Sequence, residues 1–197
     1  MTMMNSLDLQ QVRREEMRGK VLELLQSSPD PIALRLIGAG LLKARFDCTH
    51  EDVRATLRYL AGKNLVNLDK DTWAARISAD GLDVLERTIE CPVGLYLDGS
   101  PPTLNEHEVA RGCILAMLVV SDKGWSERSI DLALDKTELY LEPSQVRICL
   151  NYLEDKGLIG VDRSDRSQWW ATITSMGTDV AQGAQSCPPG IRLGVGH

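Results

Sequence analysis

The residues of this chain repeat, and the repeat constrains the fold more than any other feature. Arg18-Gly19 recurs as Arg111-Gly112, 93 positions on; the same spacing carries Ile37 to Ile130, Leu41 to Leu134, Val53-Arg54 to Val146-Arg147 and Tyr59-Leu60 to Tyr152-Leu153. It also maps Lys63-Asn64-Leu65-Val66 onto Lys156-Gly157-Leu158-Ile159. The spacing then becomes 96, linking Ile77-Ser78 to Ile173-Thr174, Gly81 to Gly177, Val84 to Val180 and Cys91-Pro92-Val93-Gly94 to Cys187-Pro188-Pro189-Gly190. The inserted residues fall between Asp162 and Trp169, opposite Asp69–Trp73 of the first copy, where a surface turn accommodates added length. A chain of 197 residues built this way is expected to form two modules of about 100 residues each, with separate cores.

Each copy reads as helix, helix, helix, strand, strand, helix. Val21, Leu22, Leu24 and Leu25 give the first helix its apolar side, and Leu34, Ile37 and Leu41 fall on one face of the second. Thr49 followed by Asp52 is a variant capping box for the third helix, whose core stripe is Val53, Leu57 and Leu60. In the second copy Pro143 opens that helix and Val146, Leu150 and Leu153 form the stripe. Gly157 marks its end. Hairpins are expected from Leu65–Leu68 to Trp73–Ile77 and from Leu158–Val161 to Trp169–Ile173, with Ser78 and Thr174 capping the last helices. Asn105 with Glu108 caps the helix that opens the second copy, and the chain from Pro188 onward is expected to fray.

The run Leu60-x-x-Lys63-x-Leu65-Val66, followed by Trp73-Ala74-Ala75-Arg76-Ile77-Ser78-x-x-Gly81-x-x-Val84-Leu85, resembles the end of a winged-helix domain. There a helix ending in "L-x-x-K-G-L-I" enters the wing and "I-[ST]-x-x-G-x-x-V-L" leaves it. The second copy has Leu153-Glu154-Asp155-Lys156-Gly157-Leu158-Ile159, then Ile173-Thr174-x-x-Gly177-x-x-Val180. The overall build is also similar to small winged-helix proteins of Mu-like phages and prophages. The resemblance implies a mainly α fold with small β-hairpin wings: winged-helix domains at 6–95 and 105–191, a linker at 96–104 and a flexible tail at 192–197.

The resemblance further implies that the third helix of each copy enters the DNA major groove while the wing meets the backbone. By position, the first such helix offers His50, Arg54 and Arg58 beside Glu51, and the second offers Ser144, Gln145, Arg147 and Asn151. Arginine, glutamine and asparagine make bidentate contacts to base edges. Lys70 in one hairpin, with Arg163 and Arg166 in the other, are candidates to neutralise phosphates. Trp73 and Trp169 are expected in the core; Trp170, adjacent on a strand, must then point outward, where tryptophan serves as a binding hot spot. Tyr59 and Tyr152 occupy one slot in both copies, which points to packing. The two Cys-Pro pairs end the last helix and turn the chain back onto the domain.

The net charge of −6 opposes a reading based on charge alone, and Glu51, Asp52, Glu154, Asp155, Asp69, Asp71, Asp162 and Asp165 would repel phosphate at the same faces. Two expectations therefore stand side by side: a DNA-binding regulator or phage accessory protein, and an acidic module that docks other proteins. Duplex DNA is the first partner considered, a protein surface the second, and a homodimer is compatible with either. Neither a cofactor nor a membrane partner is expected, since the longest apolar run, Cys113–Val120, is too short to span a bilayer. The start, Met1-Thr2-Met3-Met4-Asn5, lacks the pattern of a secretory signal, and the five scattered cysteines form no C-x-x-C pair; a cytoplasmic protein with buried, apolar thiols is expected. With histidine only at His50, His107 and His197, and no nucleophile or phosphate-loop motif, no catalytic site is expected.

Overall fold

The computed structural model describes residues 6–99, 106–121, 123–165 and 167–194, and the chain divides into two compact units, Met1–Pro101 and Pro102–His197. The first runs α1 (Ser6–Gln26), β1 (Ile32–Ala33), α2 (Leu34–Lys43), α3 (His50–Gly62), β2 (Val66–Leu68), β3 (Ala74–Ile77) and α4 (Ala79–Leu85). The second repeats that order as α5 (Glu106–Val119), β4 (Trp125–Ser126), α6 (Glu127–Asp135), α7 (Pro143–Asp155), β5 (Ile159–Asp162), β6 (Trp170–Ile173) and α8 (Ser175–Ala181). Asn105 and Arg166 lie outside the described residues.

The hairpins β2–β3 and β5–β6 are antiparallel, pairing Val66 with Ile77 and Ile159 with Ile173. Each hairpin gains a third strand that the sequence pattern does not show. β1 pairs with β3 through Ile32 and Ala75, and β4 with β6 through Trp125 and Ala171, so the strand orders are β1-β3-β2 and β4-β6-β5. Two residues are too few for alternation to register in a sequence. The tryptophans also sit differently from expectation: Trp73 and Trp169 each precede a strand, and Trp73 has φ +57°.

Local signals account for the helix ends. Asp52 N–H donates to Thr49 Oγ1 at 3.2 Å and Thr49 N–H to Asp52 Oδ2 at 2.8 Å, the reciprocal bonds of a capping box at α3. At α7, Glu142 N–H donates to Gln145 Oε1 at 2.8 Å, and Pro143 occupies the first turn. Gly157, at φ +73°, stops α7 with a left-handed residue, and Asn64, at φ +59°, does the same after α3. Ser78 and Thr174 cap α4 and α8 by accepting from Gly81 and Gly177 N–H at 3.1 and 3.0 Å. Behind these ends each unit fills its own core: Val21, Leu22, Leu25, Ile37, Leu41, Val53, Leu57 and Leu60 in the first, and Ile114, Leu115, Leu118, Ile130, Leu134, Val146, Leu150 and Leu153 in the second, are buried.

One device closes both units. Arg18 lies over the Tyr59 ring at 3.6 Å and its Nη1 donates to Gly94 O at 2.6 Å, while Tyr59 Oη donates to Val93 O at 2.6 Å. In the second unit Arg111 lies over Tyr152 at 3.8 Å and donates to Gly190 O at 3.0 Å, and Tyr152 Oη donates to Pro189 O. The chain after α4 or α8 is thereby strapped across the first and third helices of its own unit. Cys91 and Cys187 donate their thiols to Leu95 O and Ile191 O at 3.4 Å, closing the turn. Tyr96 N–H then reaches Glu15 O at 3.2 Å, and Arg192 N–H reaches Glu108 O at 2.9 Å. Gly19 and Gly112 have no side chain because a Cβ at either position would strike the carbonyl oxygen of Tyr96 or Arg192.

These contacts revise the expected limits of the units. Tyr96 and Leu97 are bonded to the first unit, Leu97 O accepting from Arg87 at 3.1 Å, so the linker does not start at 96. Pro188–Arg192 is docked rather than frayed, with Gly190 and Ile191 buried. Residues 100–105 and 195–197 lie outside the described residues. Gly112→Ala must push the strap off α5, and is expected to lower the unfolding free energy by about 1–3 kcal/mol. A urea midpoint equal to that of the parent chain would contradict the close approach.

Candidate nucleic-acid interface

The first unit presents its candidate residues on the outer side of α3. His50 is exposed at the start of the helix, and Arg54 and Arg58 stand one turn apart. Their guanidinium carbons lie 5.1 and 5.0 Å from the centre of the Trp73 ring, so the half-buried indole supports both cations. Glu51 pairs with Arg58 at 3.0 Å and more loosely with Arg54 at 3.7 Å. Both arginine side chains stay open to solvent, Arg54 at 41% and Arg58 at 55%. Lys70 is exposed at the hairpin turn. Asp69, beside it, is also exposed, but its carboxylate is engaged within the turn: it accepts from Asp71 N–H, Thr72 N–H and the Thr72 hydroxyl, and these bonds, the hydroxyl's first, hold its pKa below the ordinary range.

The second unit uses the equivalent positions differently. Arg147 lies 4.9 Å from the Trp169 ring centre, as Arg54 does from Trp73, but its Nε is bound by Glu127 Oε1 at 2.8 Å and the side chain is only 23% exposed. Asn151, expected on the outer face, is 4% exposed and accepts from Arg163 Nη2 at 2.8 Å. Burial beneath the Arg163 side chain takes Asn151 off the surface that another molecule could reach. Arg163 folds back over Trp169 at 4.6 Å and grips Glu154 with both terminal nitrogens, at 3.0 and 2.5 Å, so it is an intramolecular clamp in this structure. Gln145 is committed to its helix cap, while Ser144 is exposed.

Trp169 is buried, as expected; Trp73 is only half-buried. Trp170 opens β6 opposite Ser126 and Asp162, with 46% of its surface exposed. Two further positions matter that the motif did not single out. Arg35, with His50, lines a recess of about 420 Å³ between α2 and α3, walled by Gly38, Ala39, Leu42 and Val53. The corresponding recess of the second unit, about 300 Å³, is lined by Arg128 with Glu127 and Asp131. The contrast is legible in the sequence where the two copies differ, at Leu34 against Glu127 and Gly38 against Asp131.

Among the described residues, no group of three or more His, Cys, Asp and Glu side chains could hold a metal ion, and no helix is long and apolar enough to cross a membrane. The cysteines depart from the expected burial: Cys149 alone is fully buried, Cys48, Cys91 and Cys113 are half-buried and Cys187 is exposed. Desolvation is the leading cause that raises the thiol pKa at Cys48, Cys91, Cys113 and Cys187, which keeps them protonated and poorly nucleophilic. No family model, curated protein or solved structure matches the chain.

Burial, followed by the charges of Asp135, Glu127 and Glu142, raises the Asp131 pKa above the ordinary carboxylate range. A carboxyl whose folded pKa exceeds its unfolded value favours the fold while protonated; that contribution fades as pH rises through the folded pKa. Asp131→Asn is therefore expected to raise the urea midpoint at about pH 7 and to leave it unchanged near pH 3, below both pKa values. An equal gain at both pH values would assign the effect to packing instead of ionisation.

Proposed function

We propose that each unit is a winged helix and that the chain binds duplex DNA through the third helix and hairpin. The observation that carries this reading is the pair Arg54 and Arg58, open to solvent on one face of α3 and held in place by the Trp73 ring. A preorganised guanidinium loses less side-chain freedom on binding and reads guanine through two parallel hydrogen bonds. Lys70, exposed on the hairpin, is placed to meet a phosphate beside that groove, and His50 and Arg35 border the same face. The role that fits such a chain is that of a transcriptional regulator or a phage accessory protein.

A specific observation favours a second reading, a protein-docking module. In the second unit Arg147 and Arg163 are bound by carboxylates, while Trp170 at 46% and Tyr140 at 74% are exposed. Salt dependence separates the two. On the DNA reading, the affinity for a labelled mixed-sequence duplex falls by at least about tenfold between about 50 and 200 mM salt, as phosphate contacts release counterions. Absence of duplex binding at the lower salt, measured by fluorescence anisotropy, would favour the docking module.

A further inference from the structure

We infer that the two copies have diverged in sign, and that the first unit alone carries the duplex contact. This rests on the DNA reading above and adds which unit does the binding. The 93-residue register pairs Leu34, Gly38 and Leu42 of α2 with Glu127, Asp131 and Asp135 of α6. α2 carries Arg35 and Lys43 and no carboxylate; the counterparts Arg128 and Lys136 share their helix and its cap with three. Helix α2 borders α3 across the recess that holds Arg35 and His50, so this difference falls on the face DNA would approach. Carboxylates within a Debye length of the phosphates oppose association, and nothing on α2 does so.

The same exchange decides what the third helix offers. Glu127 binds Arg147; its first-unit counterpart, Leu34, cannot bind Arg54, which keeps only the looser 3.7 Å contact with exposed Glu51. The counterpart of Arg58 is the buried Asn151, and the second guanidinium at Trp169 comes from the hairpin, locked on Glu154. Phosphate can displace an exposed carboxylate such as Glu51, because surface ion pairs are weak. It cannot as readily displace Glu127, which is 10% exposed and also accepts from Trp169 N–H.

The test measures duplex binding by the full chain at about 50 mM salt, with matched variants in each unit. Arg35→Ala and Leu42→Asp are each expected to weaken binding by about threefold or more, and Arg54→Gln with Arg58→Gln by about tenfold with a shallower salt slope. Arg128→Ala and Asp135→Asn are expected to stay within about twofold of the parent. Leu42 is 58% exposed, so Leu42→Asp installs the second unit's charge without entering the core; urea midpoints verify that each variant folds. Equal losses from Arg128→Ala and Arg35→Ala, with the parent chain binding well, would overturn the assignment and leave the DNA reading standing. Failure of the parent chain to bind duplex would remove both. Stronger retention of single-stranded RNA than of duplex would also count against the proposal.

Discussion

Everything else in each unit depends on an arginine from the first helix stacked on a tyrosine from the third. Arg18 on Tyr59, and Arg111 on Tyr152, direct guanidinium and hydroxyl donors to successive carbonyls of the strap that follows the last helix. Arg111 is fully buried, and a buried cation is tolerated only where its donors are satisfied. The strap carbonyl of Gly190 meets one of those donors, Nη1, and in return fixes where the chain must run. Leu95 and Ile191 are buried as a consequence, and the first helix is held against the third; the opposite side of α3 faces outward, whereas that of α7 is partly covered at Asn151. The sheet then caps the other end, with its third strand supplied by the two residues that lead into α2 or α6.

On this shared frame, a few exchanges reassign the same chemical parts. Both units place a tryptophan before the last strand and two guanidinium groups around it. In the first unit both cations come from α3, stay partly open to solvent and share one exposed carboxylate, Glu51. In the second, one comes from α7 and the other from the lengthened hairpin, and each is matched by a carboxylate. The three inserted residues thus do more than lengthen a surface turn: they accompany an Arg163 that covers the helix edge and seals Asn151. Duplicated modules can keep one frame and lose the equivalence of their surfaces, because the frame rests on buried contacts whereas the surface rests on single charges.

Most of the frame was legible in the chain. The repeat register, the helix caps at Thr49, Pro143, Ser78 and Thr174, and the core stripes of the third helices all rest on local rules, in which a residue's neighbours within one turn decide its state. The recurrence of Arg18-Gly19, Tyr59 and Cys-Pro-x-Gly was equally visible, yet nothing local says that these three elements meet. Strands β1 and β4 were hidden because two residues carry no period, and the buried Asn151 was hidden because helical spacing alone gives a face without saying what covers it.

What the sequence by itself determined is the pair of copies, their helices and hairpins, and the residues that cap and fill them. These follow from hydrophobic period, capping chemistry and turn residues, all of which act over a few positions. Tertiary structure alone decided which arginines are open and which are spent on internal partners. Glu127 and Arg147 are 20 positions apart, and Trp169 and Glu127 are 42 apart, so their meeting is a product of packing. A charge stays available to a partner where its internal ion pair is exposed, as at Glu51, and is withheld where that pair is sealed, as at Glu127.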